Sequence, residues 1–183
     1  MKSFFKNVFA VIRANVIFLW YSVCRRCHYK NIVRVFRWVD ITVDKKGKMM
    51  VGKGVAIRER SMCTVRPKAT LIMGDMSSLN ADCKIVCHEK ISIGENTILG
   101  SNVHIYDHDH VFDAEKGVRR KEYVSSEVVI GNNCWIGANA IILRGTHIGD
   151  NCVIGAGTIV KGDYPDGVLI VNERRTITKE IRK

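Results

Sequence analysis

Aliphatic residues recur at every sixth position over much of this chain. Ile130, Ile136, Ile142, Ile148, Ile154 and Val160 stand at constant spacing, and glycine follows four of them, at Gly131, Gly137, Gly149 and Gly155. Upstream, Ile93, Leu99 and Ile105 keep the pattern, with Gly94 and Gly100 in place; fainter copies are Met73, Leu79, Ile85 and Val51, Ile57, Cys63. A helix with 3.6 residues per turn would scatter such a period around all its faces. A short strand plus a corner in each hexapeptide does not, because three such units close a triangular coil and return the aliphatic to the same interior column. Glycine after the aliphatic fits a corner where backbone bends or packs closely. The pattern therefore predicts an all-β solenoid of stacked parallel strands.

Coils begin near Val51, Met73, Ile93, Ile130 and Ile148, at steps of 22, 20, 37 and 18 residues. The long step is one coil plus an insertion, VFDAEKGVRRKEYVSS at 111–126, which is charged and lacks the repeat. A long irregular insertion in a regular solenoid is more often functional than accidental. The expected division is an amphipathic helical amino-terminal segment at 1–45, a solenoid at 46–165 carrying the loop 111–126, and a tail at 166–183.

From Phe4 to Cys27 the chain is apolar and aromatic, with Lys6, Arg13, Arg25 and Arg26 interspersed. Its charge-free run, Ala14 to Cys24, is shorter than the roughly 20 residues a bilayer span needs. Two readings stand: a helix lying on an anionic membrane surface, or one packed on the solenoid or a neighbouring subunit, covering an open end that would otherwise invite aggregation.

Composition narrows the classes further. The 183 residues suffice for one core, and the formal charge is +11. Such charge suits phosphates of a ligand, an anionic membrane or nucleic acid, but there is no helix-turn-helix, paired zinc-finger spacing or aromatic RNA-binding motif, so no nucleic-acid partner is expected. Seven cysteines without a cleavable-looking secretory signal point to a reducing compartment, the cytoplasm by default, with contact at the inner membrane face left open. Cys24, Cys27 and His28 have the spacing of a haem attachment site without any supporting context. Cys83, Cys87 and His88 read as buried small residues rather than zinc ligands, and no metal is expected. Three histidines, His104, His108 and His110, stand just before the insertion, and spacing alone does not choose among them.

The stretch EVVIGNNCWIGANAIILRGTHIGDNCVIGAGTIVKGDYPDG, Glu127 to Gly167, closely resembles the hexapeptide-repeat acyltransferases, in particular the branch of galactoside, maltose and polysaccharide O-acetyltransferases. The similarity reaches back to about Gly74. It implies a left-handed parallel β-helix, against the right-handed rule for other parallel crossovers, and a homotrimer with active sites between subunits. It also implies the site. In GSNVHIYDHDHVFD, His110 takes the place of the family's catalytic histidine, 16 residues after Gly94, with His108 as its rival and as a substrate contact. Asn80 matches a substrate-binding asparagine, Asp82 a nearby polar position, and Trp135 a wall of the site. Acetyl-CoA would approach the backbone beside the small residues Ala138 and Ala156, with Lys161, Arg174 and Arg175 toward its phosphates. The ending IVNERRTITKEI departs from the Gly-x-Pro-Ala segment usual in relatives, at the end of the chain where the nucleotide contacts are expected.

The chemistry so implied is transfer of an acetyl or similar group from acyl-CoA to a hydroxyl, expected to belong to a sugar or polysaccharide precursor. Histidine, with an ordinary pKa near 6.5, suits the removal of the hydroxyl proton. Asp113 and Glu127 are candidates to orient it. Cys134 and Cys152, 18 residues apart, read as a structural ladder rather than as nucleophiles. Two other classes use the same coil: a metal enzyme of the γ-carbonic-anhydrase type, built on His104, His108, His110 and His147, and a non-catalytic scaffold.

Overall fold

The computed structural model describes residues 2–30, 32–173, 175, 177 and 178. One helix, α1 (Lys2–Val23), precedes a left-handed parallel β-helix with three faces. Faces A and B each hold seven strands and face C six; a separate two-stranded antiparallel ribbon projects from one corner. Every strand of a face pairs in parallel with its equivalent one coil away. On face A, Tyr29, Val51, Met73, Ile93, Ile130, Ile148 and Tyr164 follow one another in register. Face B carries Val35, Ile57, Leu79, Leu99, Ile136, Ile154 and Ile170 in the same way. Each predicted column is thus a ladder, and nearly all its members are buried.

The glycine and the bend are separate devices. Gly100 and Gly137 follow interior aliphatics, and a Cβ on either would stand 2.6 Å from the backbone nitrogen of Ala138 or Ala156 in the next coil. That approach is what excludes a side chain there. The reversal of direction falls to neighbours in the left-handed region, often asparagines, such as Asn102 at φ 57 and Asn139 at φ 60. Buried corner hydroxyls are bonded across coils: Thr97 Oγ1 donates to the Gly131 carbonyl at 2.7 Å and accepts the Cys134 N–H at 3.1 Å.

Three expected boundaries are corrected. Only Lys2–Val23 of the segment 1–45 is helical; strands at Cys27–Tyr29, Arg34–Val35 and Asp40–Val43 already form the first coil. Their interior residues Tyr29, Val35 and Ile41 obey the period of six, but polar and cationic neighbours obscure it. At the other end Leu169–Ile170 pairs with Val153–Ile154, so the solenoid runs past 165 into the expected tail. The insertion is a ribbon of His108–Asp113 against Gly117–Ser125, and so begins at His108 rather than 111.

Helix α1 closes the first coil. Ala14 and Phe18 enter the main core, while Ala10 packs with Phe36 and Ala56. The Phe18 ring lies 5.5 Å from that of Tyr29, and the Tyr21 hydroxyl donates to the Ile41 carbonyl at 2.9 Å. Replacing Leu79, wholly buried in the middle of the face B ladder, with alanine is expected to cost about 2–5 kcal/mol. Ile98→Ala, next to Leu99 on the exposed side of face B, should cost far less. Denaturant titration of both variants at one protein concentration checks the difference.

Candidate active site

The corner from face C to face A gathers the chemistry. In the third coil it holds His88; in the fourth, Asp107 and the start of the ribbon. The coil step of 20 residues that carries Met73 to Ile93 also carries His88 to His108, and their rings stack with centroids 3.7 Å apart. Tyr123, which faces His110 across the ribbon, covers all three histidines, with ring centroids 4.4 Å from His88, 5.5 Å from His108 and 4.7 Å from His110. A register shift between His110 and Val111 bends the ribbon at this point.

Asp107 fastens the cluster. Its carboxylate is fully buried and accepts the N–H groups of His88, at 2.8 Å, and Glu89, at 2.7 Å. It also stands 3.4 Å from His108 Nδ1. With that nitrogen protonated, the bond fixes the tautomer and leaves Nε2 as an acceptor. The base of the ribbon is closed by the Ser126 N–H donating to the Asp107 carbonyl at 2.9 Å, and its flank by an Arg144–Asp109 ion pair to the following coil. His110 is exposed, and its ring nitrogens have no hydrogen-bond partner among the described residues. Neither proposed orienting group serves it: Glu127 is bound to Lys90 at 2.8 Å, and Asp113 accepts the Glu115 and Lys116 N–H groups in the ribbon's turn.

The remaining expected residues lie on a different side of the prism. Asn80, Ala138 and Ala156 occupy the corner from face B to face C in the third, fifth and sixth coils. Trp135 stands 59% exposed on face B, in line with Ile98 and Val153. The N–H groups of Ala138 and Ala156 find no acceptor among the described residues. Asp82 is turned to another use: at φ 65 it forms the corner, and Arg60 takes both its oxygens at 2.7 Å, which holds its carboxyl below the usual range. Lys161 lies exposed at the C–A corner, Arg175 is exposed in the tail, and Arg174 falls outside the described residues. Beside the Asn80 corner a cleft of about 930 Å³ opens between α1 and the first coils, lined by Phe5, Phe9, Arg13, Phe36, Trp38 and Ala81 among others. Within one chain, then, the histidines are not brought to Asn80, Trp135 or Ala138.

The other readings can be placed too. His104 lies on face C, bonded to Asn102 at 3.1 Å, and His147 on face A, bonded to Asp163 at 2.7 Å, so the four histidines do not converge. Cys134 and Cys152 are buried in neighbouring coils, each Sγ directed at a carbonyl 3.2 Å away, of Gly149 and Pro165. Burial raises the Cys134 thiol, as it raises Cys83 to about 11. These are packing residues.

Sequence reasoning missed His88, Asp107 and Tyr123. Register arithmetic gives the first two once the coil step is known. Tyr123 is set by the ribbon's pairing, for which the hexapeptide repeat gives no rule. Burial, followed by the charge of His108, pushes the His88 imidazole down to about 4 from its ordinary 6.5. The unfolded chain therefore takes up a proton at this position as pH falls through 6.5, while the folded one resists until about 4. Stability is expected to decline across that window as pH is lowered. His88→Gln should lessen the slope, as read from urea midpoints; an identical slope in the variant would contradict the assignment.

Comparison with known proteins agrees with this architecture. The family profile described as "Hexapeptide repeat of succinyl-transferase" matches residues 127–161. Nodulation protein L of Rhizobium meliloti (strain 1021) is 36% identical over 127 residues, covering 69% of this chain and 68% of that protein. Polysialic acid O-acetyltransferase of Neisseria meningitidis is 31% identical over 94 residues, covering 50% and 40% of the two chains. Among solved structures, the hexapeptide-repeat acetyltransferase VCA0836 of Vibrio cholerae, in complex with acetyl coenzyme A, superimposes with a TM-score of 0.56 at 24% identity, covering 66% of this chain and 67% of that one. The chain spans 45% to 68% of the length of the first curated relatives it matches. By repeat, register and relatives, this chain belongs to the hexapeptide-repeat acyltransferase family.

Proposed function

We propose that the protein is an acyl-CoA-dependent O-acyltransferase that carries an acetyl or similar group to a hydroxyl of a sugar or polysaccharide precursor, with His110 as general base. The observation that carries this reading is the projecting ribbon, which presents to solvent an imidazole whose nitrogens have no hydrogen-bond partner among the described residues, over a supporting cluster of His88, His108 and Tyr123. The acetyl coenzyme A bound to VCA0836 and the acceptor named for the Neisseria enzyme support the donor and the acceptor class.

The chemistry follows from position. His110 accepts the acceptor's hydroxyl proton, the oxygen attacks the thioester carbonyl, and the same imidazolium returns the proton to the departing thiolate. No acyl-enzyme forms, in keeping with the buried thiols. Small side chains, and N–H groups without an acceptor among the described residues, at Ala138 and Ala156 suit a pantetheine arm laid along the B–C corner, with Trp135 on the adjoining face, Asn80 toward the acceptor, and Lys161, Arg174 and Arg175 toward the phosphates. Because the histidines and this corner lie on different sides of one prism, the reading includes a second copy of the chain, as in a homotrimer, to complete each site. We place the enzyme in the cytoplasm.

One observation favours a second assignment of the base. His108, not His110, has a carboxylate at its Nδ1, the arrangement that orients a general base elsewhere. With His110 as base, His110→Ala should lower acceptor-dependent release of free thiol from acetyl-CoA by about 10²–10⁴-fold, while Asp107→Asn, acting through His108 and the ribbon, lowers it less. Equal rates for wild type and His110→Ala, with collapse in His108→Ala, would transfer the role to His108. Absence of both thiol release and acetyl-CoA binding in the wild type would remove the enzyme reading.

A further inference from the structure

Helix α1 has two apolar faces, and the solenoid uses one. Ala10, Ala14 and Phe18 are buried against the first coils, yet the opposite side presents Phe5, Phe9, Ile12, Val16, Leu19 and Val23, each between 52% and 74% exposed. A helix that is apolar all round belongs against other apolar matter on both sides. Among the described side chains its cations are confined to one edge: Lys6 and Arg13, seven residues apart, share a ribbon between the two faces and line the cleft beside Phe36 and Trp38. Trp20, 69% exposed, stands on the same edge of the outer face.

Charge along the chain bears on what covers that outer face. Residues 1–60 hold 14 Lys and Arg against 3 Asp and Glu, a balance of +11; residues 61–183 hold 15 of each, a balance of zero. The entire formal charge excess thus resides in the third of the sequence that forms α1 and the first coils. Among the described residues, Lys6 and Arg13 have no acidic partner, and the Arg37 guanidinium lies 5.6 Å from the Trp38 ring centroid, facing no carboxylate. Exposed aliphatic and aromatic side chains flanked by cations fit an interface whose interior is hydrocarbon and whose surface is anionic.

We propose that α1 with the first coils is a docking surface for an anionic phospholipid bilayer. The helix lies in the interfacial plane, its outer face among the acyl chains and its cationic edge at the phosphates. It is long and apolar enough to cross a membrane, since Phe4–Val23 passes on length and hydropathy. Spanning, however, would withdraw Phe18 from the core and break the Tyr21 bond to Ile41, whereas lying flat keeps both. The inference is independent of the reaction assigned to the histidines.

Flotation of the full chain with vesicles tests it. Vesicles of phosphatidylcholine containing about 30% phosphatidylglycerol should carry the protein upward, and phosphatidylcholine alone should carry much less. Lys6→Gln with Arg13→Gln should reduce partitioning about fivefold for each cation removed, and added salt should mimic the change. Phe9→Ser with Val16→Ser, both at exposed positions, should abolish flotation at an unchanged thermal midpoint. Bound protein should come free in alkaline carbonate. No flotation of the wild type, equal binding to neutral vesicles, or retention in carbonate as a spanning helix would each overturn the proposal. So would a smaller assembly for Phe9→Ser with Val16→Ser in sedimentation velocity, which would mark the face as a contact between copies of the chain.

Discussion

Everything in this molecule depends on each coil bonding to the next in strict parallel register. Once Val51 must lie over Met73, and Met73 over Ile93, the interior is a set of columns, and the sequence is held to a period of six wherever it forms them. The same constraint forbids side chains at Gly100 and Gly137, where the following coil passes within contact of a would-be Cβ. It leaves two liberties. A corner can swell without disturbing the ladders, and the ends of the stack must be closed by something outside the repeat. The histidine-bearing ribbon takes the first, and α1 takes the second.

Because the ladder tolerates insertion only at corners, an insertion inherits a fixed base. The ribbon leaves the C–A corner at Asp107 and returns at Ser126, and the backbone bond between these residues holds its two ends together. Asp107 does more than close the loop, since its buried carboxylate also binds the N–H groups of the corner one coil earlier. The stack of His88 on His108 is thus a consequence of coil pitch: successive corners lie about 4.8 Å apart, close to the spacing of stacked rings. A rigid column carrying a projecting ribbon suits a site that is placed accurately and, on the proposed reading, completed by a second chain.

The fold could be read from sequence where interior positions were aliphatic and the corner glycines intact, as from Ile93 to Val160. It faded at the first coil, where Tyr29 and Ile41 keep the period but sit among His28, Lys30, Arg34 and Arg37, so that polarity rather than spacing dominates. The candidate site was legible in part for a related reason. His108 and His110 announce themselves by position next to the insertion, whereas His88 looks like one more residue after a buried cysteine until its coil is counted against the next. Tyr123 depends on antiparallel pairing with a shifted register, which no periodicity encodes. At Asp82 a polar residue in a matching position suggested a ligand contact, and its left-handed backbone and its pair with Arg60 also account for it as a corner residue.

The division of charge gives the two ends of the solenoid different surroundings. A balance of zero over residues 61–183 leaves the later coils without long-range attraction to polyanions, so on the proposed reading donor phosphates there would be met by individual cations such as Lys161. The first sixty residues carry the whole excess and the unpaired apolar face together. Three coil steps of about 4.8 Å separate that end from the ribbon, about the length of a few sugar units. With α1 docked on a bilayer as proposed, an acceptor anchored there would lie about three coil steps from His110, whereas the cleft between α1 and the Asn80 corner opens on another side of the prism. On the proposed reading, the helix that closes the core would also favour acceptors held at the same surface, so that the cap of a stack of coils would bear on the choice of substrate.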